Sequence, residues 1–419
     1  MTTDFYPVEN RILSLLYHSK VSMTTYELSK KLKLSFPTTK KYIQTLIDKG
    51  AVIEDKLAKN NKATYKLNFK LLKDVKSNAI KNKSLPQDKS TQKIIATKKN
   101  SVGKGEILRT ADLFAGVGGI RLAFEREGFK TVFANDFDRY CKIIYDANFP
   151  EPKMTLGDIN DIDLKSIPSF EILLGGFPCQ PFSIAGYRKG FKDAKGRGNL
   201  FFRIAEILDE KKPKAFLLEN VKNLRNHDGG RTFEIISKTL HDLGYVFKVA
   251  ILNSANYGNM PQNRERIFIV GFRNKKAYDA FEFPKELALT TSFKDFLETE
   301  PVDDKYYYNE KPLYERIVND VNNENTVYQW RRGYVRANKK GLVPTLTANM
   351  GAGGHNVAII KNHKGIRKFT PRECYSLQGF PKSFKLPAMA DSQLYHQAGN
   401  SVTVPVLQRI AKEMKKALS

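Results

Sequence analysis

The chain has 419 residues, 41% hydrophobic and 27% charged, enough for two or three globular domains, each with its own core. Lys and Arg total 70 against 44 Asp and Glu, and the resulting net charge of +26 favours a polyanionic partner, nucleic acid first, although a lysine-rich codon bias would leave the same surface. No basic flank leads into an apolar signal-like segment, and no apolar run approaches the ~20 residues of a membrane span. The three cysteines, Cys141, Cys179 and Cys374, are too few and too odd for a disulfide framework or a zinc site. A soluble, reduced, cytoplasmic chain without metal or membrane contact is expected, and it leaves any one thiol free to act as a nucleophile.

In chain order, residues 1–70 read as a small helical unit. Ile12, Leu13 and Leu16 fall at helical spacing. A second helix is expected over about Thr24–Lys33 with Tyr26, Leu28 and Leu32 turned inward. Pro37 suits the first turn of a third helix, which carries Thr38, Thr39, Lys40 and Lys41 early, sets Leu46 and Ile47 on an apolar stripe, and stops at Gly50. Two short strands follow, Ala51–Glu54 and Thr64–Leu67. Helices closed by a two-stranded wing resemble the winged helix-turn-helix DNA binders, whose third helix enters the major groove. That resemblance makes Lys40 and Lys41 candidate DNA contacts; a helical dimerisation module fits the same pattern. Residues 70–104 hold ten lysines and two aspartates with little apolar periodicity, so 71–104 is expected to be a basic linker.

From residue 105 the pattern changes to strands alternating with helices: Ile107–Phe114, Thr131–Asn135, Ile172–Gly175, Ala215–Glu219, Val246–Leu252 and Arg266–Gly271 are short apolar strands, with helices at Gly119–Glu127 and Asp138–Asn148. This predicts an α/β, doubly wound, Rossmann-like domain on a parallel sheet over 105–275. Residues 276–365 lose the rhythm, and Ser392–Leu418 reads as helix again.

Asp112–Gly119 closes the first strand and opens a helix. Its glycines, Gly116 and Gly118 among them, allow a tight turn and close backbone approach to a ligand at the helix N-terminus. Asp136 ends the second strand, where an acid would bind ribose hydroxyls, and Asp158 follows another turn, where it could accept from an adenine amino group. The order suits a nucleoside-bearing cofactor, and a dinucleotide fits it too. No phosphate-binding lysine of the GxxxxGK[ST] kind accompanies the loop. Cys179, in Gly175-Gly-Phe-Pro-Cys-Gln-Pro-Phe-Ser183, supplies a thiol after one strand, and Glu219 supplies a carboxyl at the end of another. Arg264 and Arg266 lie two apart in extended chain and point to one side.

Together these segments resemble the DNA (cytosine-5) methyltransferases, in the family's linear order over 105–275 and 341–419. The resemblance implies S-adenosylmethionine as cofactor, lined by Phe114, Asp136, Phe137, Asp158, Ile159, Pro178, Leu200, Asn400 and Val402; Asp136 stands where the family usually has Glu. It implies Cys179 as the nucleophile on cytosine carbon 6, Glu219 as the acid at ring N3, Arg264 polarising the cytosine carbonyl, and Arg266 orienting the acid or the nucleotide. Residues 276–391 correspond to the family's target-recognition region and hinge, with 392–419 returning to the catalytic domain. Ser183, Arg331, Arg332, Arg336 and Thr345 are then the expected DNA contacts. The partner is double-stranded DNA, the catalytic unit a monomer, and a cognate restriction endonuclease a genetic partner. Cytosine methylation of tRNA, or a non-catalytic DNA-binding regulator, are the rival readings.

Overall fold

The computed structural model describes residues 12–13, 15–16, 23–32, 35–48, 51–55, 64–67, 107–178, 200–299, 301–331, 333–338, 340–351 and 357–419. They fall into two compact units, 1–99 and 100–419.

The first unit holds β1 (Met23–Thr24), α1 (Thr25–Leu32), α2 (Phe36–Asp48), β2 (Val52–Asp55) and β3 (Thr64–Leu67), with β3 between the other two strands in an antiparallel sheet. Helix α1 starts where it does because Glu27 accepts from the Thr24 N–H (2.8 Å) while the Thr24 hydroxyl accepts from the Glu27 N–H (3.2 Å). Leu28 and Leu32 of α1, Ile43 and Leu46 of α2, and Val52 close a small core with Ile12 and Leu16. Two expectations change. A third strand, β1, joins the expected pair. Tyr26 points outward, 62% exposed, because it lies two residues from Leu28 and so on the other side of a helix whose buried stripe is Leu28 and Leu32.

The second unit is built on β4 (Arg109–Leu113), α3 (Gly119–Arg126), β5 (Lys130–Asp136), α4 (Arg139–Asn148), β6 (Thr155–Leu156), β7 (Ile172–Gly176), α5 (Leu200–Lys211), β8 (Ala215–Val221), α6 (Arg231–Asp242), β9 (Val246–Asn253), α7 (Ser254–Gly258), β10 (Gln262–Asn263), β11 (Glu265–Phe272) and α8 (Lys275–Ala280). Seven strands form one sheet in the order β6-β5-β4-β7-β8-β11-β9. Strands β4 to β8 are parallel, but β11 runs antiparallel to both its neighbours, β8 and β9. The sheet is therefore mixed rather than wholly parallel as the sequence pattern suggested. The chain between β9 and β11 is too short for a crossover helix, so it turns back and inserts β11 beside β8. Phe114, read as the end of the first strand, has instead left it with a left-handed φ of 55°.

Side chains alternate across the sheet. Leu174, Leu217, Phe268 and Val270 face one core with α3, α4 and the C-terminal helix, whereas Leu173, Leu218, Ile267 and Ile269 face the other with α5 and α6. Helices thus cover both faces, which is why these strands read as continuous apolar runs.

The C-terminal part adds α9 (Tyr314–Ile317), β12 (Val327–Trp330), β13 (Val335–Asn338), β14 (Val343–Pro344), β15 (Ile359–Asn362), β16 (Gly365–Lys368), α10 (Pro371–Leu377), α11 (Asp391–Asn400) and α12 (Val404–Leu418). Here an antiparallel sheet, β13-β12-β15-β16, replaces the lost rhythm; its strands span four residues each, too short to leave a periodic signature. Strand β14 pairs in parallel with β10, and Val343 and Leu346 join the main core. Arg367 of β16 and Glu373 of α10 form a two-pronged pair at 2.7 and 2.8 Å, both buried, with the Thr370–Glu373 capping box beneath. Ser392–Leu418 is not one helix but two. The break at Ser401–Thr403 is extended at Ser401, and Pro405 sits in the first turn of α12, where its missing N–H costs nothing. No helix among the described residues is long and apolar enough to cross a membrane.

Candidate active site

The parallel register of β7 and β8 sets Gly176 opposite Glu219. Gly176 has no side chain, and a methyl placed there would stand 3.5 Å from Glu219 Oε2. The next residue of β8, Asn220, is buried and donates from Nδ2 to the Phe177 carbonyl at 2.8 Å, fixing the chain as it enters Pro178. Cys179, which follows, lies outside the described residues, as do Ser183 and Arg332.

Glu219 is 8% exposed. Burial raises its pKa from the usual carboxylate value, and the nearby Arg266 and Arg264 guanidinium groups only partly oppose this. Arg266 Nε pairs with Glu219 Oε1 at 3.1 Å. Both terminal nitrogens of Arg264 are engaged: Nη1 donates to the Leu346 carbonyl (2.7 Å), and Nη2 donates to the carbonyls of Gly399 (3.1 Å) and Ser401. Its Nε has no partner among the described residues. Burial and the Arg266 charge push its pKa down to about 9, which still leaves it protonated at neutral pH. Spacing suggested that the two arginines share a side, and both act on Glu219. It did not reveal that the break between α11 and α12 exposes the carbonyls that Arg264 takes.

The glycine loop and the acids also converge. Gly116, with φ 54°, donates its N–H to Asp136 Oδ2 at 2.9 Å, and nothing lies within 4 Å of where its Cβ would be. Gly118, at φ 88°, starts α3 in the left-handed region. A methyl on Gly119 would stand 2.7 Å from Val402, so the turn between α11 and α12 packs on the helix start. The Gly157 N–H donates to the Asp136 carbonyl, bringing Asp158 alongside, and Asp158 caps a short turn by accepting from the Asn160 N–H (3.0 Å). Phe137, 75% exposed, stands beside Asp136. Asn400 is exposed and bonded to His396 Nε2 at 3.0 Å. Phe114 and Leu200 are half-buried and Pro178 exposed, whereas Ile159 is buried in the core beneath α5.

One residue was missed. Asp112 is wholly buried, and neither carboxylate oxygen has a partner among the described residues. Burial raises its pKa to about 8, against the lowering effect of Arg121 nearby. Its oxygens are closed off from any ligand, so Asp112 is a buried acid beneath the glycine loop and not a contact. With the open space at Gly116 and the held carboxylate of Asp136, the residues present fit S-adenosylmethionine.

Residues 108–416 match the family described as C-5 cytosine-specific DNA methylase. The chain belongs to that family. Among relatives of this methylase, the type II methyltransferase M.Bsp6I of Bacillus sp. (strain RFL6) is 50% identical over 316 residues, 74% of this chain and 100% of that protein. M.HhaI of Haemophilus parahaemolyticus is 41% identical over 325 residues, 74% of this chain and 95% of that protein. In fold, the methylase resembles a Spodoptera frugiperda DNMT2 variant with a TM-score of 0.58 at 22% identity, covering 74% of this chain and 99% of that one. The family match leaves residues 1–107 outside it.

Arg331, Tyr334 and Arg336 are exposed on the β12–β13 hairpin. Thr345 is half-buried, and its hydroxyl donates to the Asn263 carbonyl at 2.6 Å. Lys40 and Lys41 are exposed on α2 of the other unit.

Proposed function

We propose that this methylase transfers a methyl group from S-adenosylmethionine to carbon 5 of a cytosine flipped out of duplex DNA. The observation that carries the mechanism is Glu219: a buried acid with a raised pKa, held by Arg266 and in register with Gly176, three residues before Cys179. When bound, S-adenosylmethionine supplies a methyl group on a sulfonium. Cys179 is the nucleophile, adding its thiolate to carbon 6. Glu219, protonated, holds ring N3 and makes that addition easier. Carbon 5 takes the methyl group, its proton then leaves, and the thiolate is expelled. Arg266 orients the acid. Arg264, buried, holds the loops around it through the carbonyls of Leu346, Gly399 and Ser401 in place of the cytosine contact expected from the resemblance.

Phe114, Asp136, Phe137 and Asp158, with Asn400 and Val402, line the cofactor site in this reading. Residues 105–275 and 392–419 form the catalytic part, and 276–391 read the target with Arg331, Arg332 and Arg336. Extruding the base costs a few kcal/mol, recovered from these contacts. The chain is the modification enzyme of a restriction–modification system, acting on cytoplasmic DNA as a monomer. The β1–β3 sheet with α1 and α2 supports a winged-helix unit over 1–70. In this reading it binds DNA through Lys40 and Lys41, adding affinity or repressing its own operon, and 71–104 tether it.

Duplex DNA carrying 5-fluorocytosine tests the catalytic reading. A covalent adduct is expected with the native chain and not with Cys179→Ala, and methyl transfer to tRNA in place of duplex DNA would overturn the substrate.

A further inference from the structure

Gln397 is 1% exposed in the middle of α11, and its amide is used on both ends. Nε2 donates to Asp138 Oδ2 at 2.7 Å, and Oε1 accepts from the Cys141 thiol at 2.9 Å. A carboxylate only accepts and this thiol donates, so the amide has a single orientation. Burial, with the charges of Asp136 and Asp138 added, pushes the Cys141 thiol far up, so it remains a donor.

The chain of bonds continues to the cofactor acid. The other oxygen of Asp138 caps α4 by accepting from the Tyr140 N–H at 2.8 Å. The Asp138 N–H donates to Asp136 Oδ1 at 2.9 Å, and Asp136 Oδ2 takes the Gly116 N–H at 2.9 Å. One turn along α11, Asn400 forms the far end of the same helix. Two segments 259 residues apart are therefore joined through one buried amide.

We propose that Gln397 is a positioning residue for the cofactor, clamping the Asp138 turn so that Asp136 keeps its place against the glycine loop. This rests on the cofactor reading of Asp136 given above. Gln397 touches no substrate; it acts through Asp138. A hydrogen bond to a charged group is worth about ten- to a hundredfold in an equilibrium.

Calorimetric titration of S-adenosylmethionine into the full-length protein tests this. Gln397→Met keeps the length of the side chain and removes both bonds. Its Kd for S-adenosylmethionine rises about tenfold or more, while kcat at saturating cofactor stays within about threefold of wild type. Gln397→Glu sets a new carboxylate against Asp138 and the Cys141 thiol, with Asp136 and Tyr375 the titratable groups acting on that thiol from beyond. Measured relative to wild type at each pH, its affinity recovers as pH falls and the new acid becomes a donor like the amide; Gln397→Met shows no such recovery. Cys141→Ser retains binding and Cys141→Ala weakens it. Wild-type affinity in Gln397→Met, or a flat relative pH profile in Gln397→Glu, overturns the proposal. A native chain that takes up no S-adenosylmethionine overturns the cofactor reading itself.

Discussion

Arg266 Nε and Glu219 Oε1 stand 3.1 Å apart on adjacent antiparallel strands, where Arg266 is aligned with Val221 and so meets Glu219 on the diagonal. The pair leaves 18% and 10% of the two side chains exposed. Burial nonetheless prevails over the arginine at Glu219, whose pKa is raised rather than lowered. The acid can therefore keep its proton where an exposed glutamate would not.

The pH dependence follows from that sign. The folded state holds the Glu219 proton to higher pH than the unfolded state, so stability falls as pH rises from the ordinary glutamate range through the folded pKa. Activity that needs the protonated acid falls over the same rise. Glu219→Gln is expected to lower kcat at least about a hundredfold and to flatten the pH slope of stability. Urea unfolding at several pH values, with single-turnover rates, measures both; an unchanged rate in Glu219→Gln sinks the assignment.

Asp112 behaves similarly and more strongly. Its pKa rises from 3.8 to about 8, so stability falls as pH rises between those values, where the unfolded chain has given up the proton that the buried acid still holds. Asp112→Asn is expected to stabilise the protein at pH 8 by about 1–3 kcal/mol. Denaturation at pH 5 and pH 8 gives the comparison. Equal stabilisation at both pH values would exclude the raised pKa.

Removing Arg264 leaves the buried carbonyls of Leu346, Gly399 and Ser401 without their donor. Arg264→Ala is expected to cost about 3 kcal/mol or more, read as a shift in the urea midpoint. Arg266→Lys keeps a cation near Glu219, costs about 1 kcal/mol or less, and shows its effect in kcat. The reverse order would mean that their roles are exchanged.

Gly399 packs on the loop after Thr345, and a methyl there would sit 2.1 Å from the Thr347 carbonyl carbon. Backbone cannot swing aside as a side chain can, so Gly399→Ala is expected to lose about 1–3 kcal/mol and cofactor affinity with it. Gly116→Ala meets no atom within 4 Å and suffers only from its φ of 54°. Thermal melts of the two variants should rank them in that order.

Local chemistry in the sequence determined much of this protein. Apolar runs marked β7 and β8, glycines marked the turn before α3, and the residues around Cys179, Glu219 and Arg264 carried the family. These are properties of neighbouring residues, so spacing and composition express them. The tertiary structure decided what depends on residues far apart. The reversed β11, the break that feeds carbonyls to Arg264, the isolated burial of Asp112 and the amide bridge from Gln397 to Asp138 each join distant segments. An acid's pKa or an arginine's partner is set by what packs against it, and packing is fixed only once the sheet has chosen its order.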